Sequence, residues 1–135
     1  VAKENGLGWT TFSVDDSGGS PIAVKNGITS LDFSTPRGVQ DVTGIDKSAN
    51  ERLLLLADFS VTPNFVFDDA ATGAHTVWKT VPSTSVARTT TIVVSGDTLA
   101  PEVLYTDYQL KRGADGSLTG TAPGVLADGT VPTWS

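Results

Sequence analysis

Asp58-Phe59-Ser60-Val61-Thr62-Pro63-Asn64-Phe65-Val66-Phe67 is the stretch that decides the fold class. Phe59, Val61, Phe65 and Phe67 occupy odd positions, and Asp58, Ser60, Thr62 and Asn64 occupy even ones. That period of two places the aromatic set on one face of an extended strand and the polar set on the other. Pro63 has no N–H to give to a ladder, which predicts an edge position or a bulge at that point.

Working toward the N-terminus, Ile28 to Ser34 alternates in the same way, with Leu31 and Phe33 on one face and Asp32 and Ser34 on the other. Thr35-Pro36-Arg37-Gly38 suits a tight turn and Val39 to Ile45 a returning strand, with Gly44 marking a bulge. Together they predict one long hairpin over residues 28–46. Asp46 to Arg52 is ambiguous. Ser48 and Glu51 match a capping box, so a short turn of helix is expected there, with Leu53 to Leu56 running on as extended chain. Further back, Trp9 to Val14 reads as a strand, Asp15 to Ser20 as a turn, Pro21 to Lys25 as its return and Asn26-Gly27 as another turn.

Toward the C-terminus, Ala70, Ala74, Val77, Trp78 and Val81 recur at helical spacing, predicting a helix over 69–81 that Pro82 stops and that covers one side of the sheet. Val86 to Ser95 is a β-branched strand, turned by Gly96-Asp97. Glu102 to Lys111 is a strand bulged near Asp107. Gly113 to Gly116 is a hairpin loop and Ser117 to Ala122 the return, so a second long hairpin spans 102–125. Residues 1–8 read as an N-terminal arm and residues 123–135 as a tail ending near Trp134.

Threonine, valine and glycine are abundant and amphipathic helical patterns scarce, so the chain is expected to be a single all-β domain, 1–135. A chain of 135 residues can bury one ordinary core. Its longest aliphatic run, Leu53 to Ala57, is far short of the roughly 20 residues that span a bilayer, so no membrane insertion is expected. No signal-peptide pattern opens the sequence, and without any methionine Val1 is expected to follow a removed initiator. The formal net charge is -6, spread evenly over both halves with no basic stripe. That balance disfavours tight nucleic-acid binding by counterion release and disfavours anionic membranes.

Chemistry is sparse. With no cysteine there is no thiolate nucleophile, no disulfide and no cysteine-based zinc site. The one histidine, His75, has no nucleophile elbow to serve and is read as a helix-surface residue. Asp15-Asp16, Asp68-Asp69 and Asp115 lack the alternate spacing and closing glutamate of a calcium loop, and read as turn formers and helix caps. There is no phosphate loop and no dinucleotide fingerprint. No enzyme activity and no cofactor are expected, and weight shifts to a structural or binding role.

Asp41-Val42-Thr43-Gly44-Ile45-Asp46-Lys47-Ser48-Ala49-Asn50-Glu51-Arg52-Leu53, followed by Leu56-Ala57-Asp58-Phe59-Ser60-Val61-Thr62, resembles the major tail tube proteins of long-tailed bacteriophages, especially those of actinobacteria. The matching order continues through Thr84 to Gly96, Glu102 to Leu110 and Gly124 to Gly129. The resemblance implies a β-sandwich with one short flanking α-helix, and long hairpins that join those of other copies in an inner β-barrel. It implies homohexameric rings stacked into a tube in the virion tail, assembled in the host cytoplasm. Genomic DNA passes through without sequence-specific binding. Tape measure, tail terminator and tail tip proteins are the implied partners. On this footing Asp32, Gln40, Asp41, Asp107 and Gln109 are candidates to face the lumen. Arg37, Lys111 and Arg112, near hairpin ends, are candidates for contacts between subunits. Trp134 is either an anchor between rings or folded back on its own domain. The alternative is a capsid decoration or accessory virion β-domain, equally small and acidic.

Overall fold

A computed structural model describes residues 3–135. Its strands are β1 (Trp9–Asp15), β2 (Pro21–Ala23), β3 (Ile28–Ser34), β4 (Arg37–Asp41), β5 (Arg52–Ala57), β6 (Ser60–Val66), β7 (Arg88–Val94), β8 (Asp97–Leu99), β9 (Glu102–Tyr105), β10 (Gln109–Arg112), β11 (Leu118–Thr121) and β12 (Gly124–Leu126). The one α-helix among the described residues, α1, spans Ala74–Trp78. The all-β class expected from the sequence holds. Its two layers are halves of one continuous antiparallel sheet, ordered β10-β11-β6-β12-β9-β7-β1-β2, with β3 beside β6 and β8 beside β7.

β7 turns the corner. Arg88 and Thr89 pair with β9, while Thr90 to Val94 pair with β1. The sheet therefore curls over a core built from Phe12, Val14, Ile92 and Leu99 on one side and Phe59, Val61, Phe65, Val103 and Tyr105 on the other. Trp78 and Val77 of α1 close it, with Trp78 stacked on Phe65 at 5.3 Å between ring centroids. The turn after β7 is Ser95-Gly96, one residue earlier than expected. Both residues have positive φ, 53° and 86°, as a tight two-residue hairpin turn requires.

β6 alternates as its sequence predicts, with Val61, Pro63 and Phe65 buried. It is not an edge strand, however: β3 lies on one side, and β11 and then β12 on the other. Pro63 is tolerated because its missing N–H points to the junction where β11 gives way to β12. Its carbonyl, on that same side, accepts from Ala122 N at 3.3 Å and Thr121 Oγ1 at 2.9 Å.

The hairpin expected over 28–46 is longer than that, and its tip lies elsewhere. β3 pairs with β6, and β4 pairs with β5, so the chain turns back at 42–51 rather than at Thr35–Gly38. Ser34 faces Ser60 and Arg37 faces Ala57, so the register carries straight through Thr35-Pro36. Pro36 breaks the strand without ending the ribbon: its carbonyl still accepts from Asp58 N at 2.9 Å. Just beyond, Leu55 and Leu56 together oppose Gly38, which is the bulge. The helical turn expected from Ser48 and Glu51 is absent. Glu51 N donates instead to Thr43 Oγ1 across the tip, at 2.7 Å.

The hairpin expected over 102–125 is present, with its irregularity near Asp107. β9 pairs with β12 and β10 with β11. Asp107 Oδ1 accepts from Tyr108 N and Oδ2 from Gln109 Nε2, which breaks the strand between β9 and β10. The helix expected over 69–81 shrinks to five residues. Asp68 takes up the preceding segment: its side chain accepts from Ala70 N and its carbonyl from His75 N. Beyond Trp78, successive turns onto the Thr80 carbonyl replace the last helical turn.

Candidate assembly surface

The two long hairpins lie side by side. β3, β6, the β11–β12 leg and the β9–β10 leg form four parallel lanes of one antiparallel array. Residues directly opposite one another share a face. One row across the outer face is therefore Gln109, Thr121, Asn64 and Ser30. Thr62 and Asp32 form the next row. A third is Leu104, Val125, Ser60 and Ser34. Asn64 Nδ2 donates to Ser30 Oγ at 2.9 Å, and the Ser34 and Ser60 hydroxyls bond each other at 2.9 Å. This face is chiefly hydroxyl and amide. Its four rows, counting Lys111–Thr119–Val66, carry one acid, Asp32, and one base, Lys111. Among the described residues, β3 and β10 each have a strand on one side only.

The structure thus gathers Asp32 and Gln109 on one face. Asp107 sits in the exposed bend before β10. Gln40 and Asp41 are neighbours on β4 and point to opposite sides of the ribbon, Gln40 with Leu53 and Asp41 with Arg52. Arg37 is engaged within its own hairpin, its Nε donating to Leu55 O at 2.9 Å across the bulge. Lys111 lies on the polar face, and Arg112, on the other face, donates to Gly113 O at 3.3 Å. Trp134 is half exposed, 5.9 Å from Phe33, while Ser135 N and O both bond Thr98 at 2.9 Å. The tail is therefore docked on its own domain. Of the N-terminal arm, residues 1 and 2 lie outside the described residues. Gly6–Gly8 forms a 3-10 turn that leaves Leu7 exposed, and Gly8 O accepts from Ser95 N at 2.7 Å.

Sequence reasoning missed the β4–β5 ribbon. It stands apart from the wide sheet as a two-stranded unit, and Val39, Leu53, Leu54, Leu55 and Leu56 are all exposed, Leu56 at 91%. The signal was the run of four leucines, which no one-sided strand can bury. At the tip, Asp41 Oδ1 accepts from Thr43 N and Oγ1 at 2.9 and 2.6 Å. The Thr43 hydroxyl, and then its N–H, hold the Asp41 carboxyl below the usual carboxylate range.

His75 is half-buried rather than on the helix surface. Its Nδ1 bonds Tyr108 OH at 2.9 Å and its ring lies 4.9 Å from Phe67. Two of the turn acids are engaged locally: Asp16 Oδ1 accepts from Gly18 and Ser20 N–H, and Asp115 Oδ1 from Ser117 N. Among the described residues no group of three or more His, Cys, Asp or Glu is placed to hold a metal ion. No described helix is long and apolar enough to cross a membrane.

Solved structures share this fold. A chain in the tail of an empty gene transfer agent particle, a tail of C6 symmetry, is similar over 98% of this chain and 98% of its own, with a TM-score of 0.76 and 17% identity. A chain in the virion of the native gene transfer agent particle is similar over 98% and 99%, with a TM-score of 0.73 and 16% identity. At these identities the likeness establishes the fold. No protein-family model and no curated protein matches the sequence.

Proposed function

We propose that this chain is the major tail tube subunit of a phage-like particle, of the long-tailed, actinobacteriophage-like kind its motif order resembles. The observation that carries the reading is the pair of long hairpins laid side by side, polar on the outer face and open at the β3 and β10 edges. An open edge invites pairing with another chain, and closure into a barrel removes it. In a ring of six, β10 of one copy meets β3 of the next and the polar face lines a bore. The C6 tail in which a chain of this fold occurs supports that ring number.

On this reading Asp32, Gln109 and Lys111 face the bore, Lys111 at the β10 seam with the next copy, Asp107 lies at its rim, and Arg112 and the ribbon meet neighbouring copies. A conduit must not grip phosphate. The hydroxyl and amide rows hold one acid, Asp32, for each base, Lys111, so the bore offers DNA no net positive charge, and six copies at -6 each give a ring of -36 that repels it. No catalysis is assigned. The terminator, tape measure and tip proteins of such a tail are the further partners.

Negative-stain microscopy of the purified protein at high concentration tests this reading. Hollow tubes of uniform width are expected. A protein that stays monomeric, or that in a particle scales in copy number with capsid area instead of tail length, overturns it.

A further inference from the structure

The β4–β5 ribbon has no apolar face and polar face; it is apolar on both. Leu53 lies on one side with Gln40, and Leu54 lies on the other with Val39, while the bulge at Gly38 adds Leu55 and Leu56. Val42 and Ile45 extend the patch into the tip, Ile45 being fully exposed. Summed over these seven side chains, the exposed surface is on the order of 800 Å², beyond the few hundred Å² of the largest patch on an ordinary monomer. Divided between the two faces it is about 400 Å² a side, so neither face alone supplies the ~800 Å² that one partner contributes to a standard stable interface. The ribbon's own domain does not supply the cover: all seven residues stay at least 36% exposed in the folded chain.

We infer that each ribbon is inserted between two other copies of this chain, one against the Leu53 face and one against the Leu54 face. This rests on the tail tube reading and specifies it further: a one-sided seam with a single neighbour would leave about half the patch in water. Copies of this chain are the occupant that fits, since the ribbon continues the β3–β6 hairpin whose β3 edge meets the next copy in the proposed ring, and a ring of identical subunits offers every ribbon the same two surfaces.

The absence of cysteine allows a direct test. Gln40→Cys and Arg52→Cys place single thiols on opposite faces of the ribbon, both at exposed positions. Maleimide labelling rates are measured for each in the free subunit and in assembled tubes. At least a tenfold slowing is expected at both sites on assembly. Tubes in which either thiol keeps its free-subunit rate overturn the two-sided insertion while leaving the tube reading intact. Failure of the unsubstituted chain to form tubes sinks both. Hydroxyl-radical footprinting of the unsubstituted chain gives the same answer without a variant: oxidation of Leu53 and of Leu54 should both fall in the tube, and persistence at either contradicts the inference.

Discussion

At the scale of single residues, the costliest side chain in this core is Arg88, which is 2% exposed. Among the described residues it has no carboxylate partner. Nη1 donates to Asp15 O at 3.2 Å, and Nη2 to Thr80 Oγ1 at 2.9 Å and Thr84 Oγ1 at 3.4 Å. Burial pushes its guanidinium below the ordinary value, with Tyr105, Asp16 and Asp15 opposing that shift. Arg88 therefore ties the end of β1 to the 80–84 turn through a fork of donors. Arg88→Ala should lower stability by about 2–4 kcal/mol in urea denaturation, since it strands buried acceptors and leaves a void. Arg88→Lys should recover little, because a single ammonium cannot reach all three; full recovery would show that charge alone matters. Asp41 offers a second test at this scale. Its folded-state value lies below its unfolded one, so its contribution to tip order is present above the ordinary carboxylate range and is lost as pH falls through the lower folded value. An NMR titration should place the Asp41 midpoint below that of an unstructured aspartate; a midpoint at or above it would refute the Thr43 cap.

At the scale of elements, the two hairpins obey different rules. The β10–β11 lane is packed tightly at Gly120, where an added Cβ would run into the Gln109 carbonyl and come within 2.7 Å of the Phe65 ring. Gly120→Ala should cost about 1–3 kcal/mol by chemical denaturation, because backbone on one side and a core ring on the other leave nothing to yield. The β4–β5 ribbon is the reverse case. Leu54→Lys should change the stability of the free subunit by no more than about 0.5 kcal/mol, since the residue is 61% exposed. The same variant should abolish tubes under microscopy. Tubes that persist with Leu54→Lys would take the ribbon out of the assembly contact. The difference between these elements was only half legible. Local pattern identified β3 and β6 by alternation, β7 by β-branched content and the 102–125 hairpin by its turn residues. It failed at Thr35–Gly38, where proline and glycine serve a strand break and a bulge as well as they serve a turn. It failed again at 69–81, where Asp68 captured the backbone donors that a longer helix needed.

At the scale of the whole molecule, the governing quantity is the net charge of -6 on every identical copy. Like-charged subunits repel one another, and salt screens that repulsion over a Debye length of about 8 Å at physiological strength. The apolar contact proposed for the ribbon is not weakened by moderate salt. Tube formation should therefore begin at lower protein concentration as salt is raised from roughly 50 to 500 mM. Sedimentation of tubes across that range checks it, and an onset that moves to higher concentration would mean that ion pairs between subunits dominate assembly.

Composition and the period-two rows settled the all-β class, the buried aromatic face of β6 and the absence of any cysteine chemistry, because these depend on residue type and local spacing alone. Which strands became neighbours was decided by tertiary structure. β3 is offered a return strand at 39–45 and takes β6 instead, since that pairing buries Phe33 beside Phe59 at 6.0 Å and a local turn would not. The run Leu53 to Leu56 signals that one sheet face cannot bury all four, but not that all four stay exposed. Four leucines read as core wherever a layer exists to cover them, and only the folded molecule reveals that its own sheet does not reach that far.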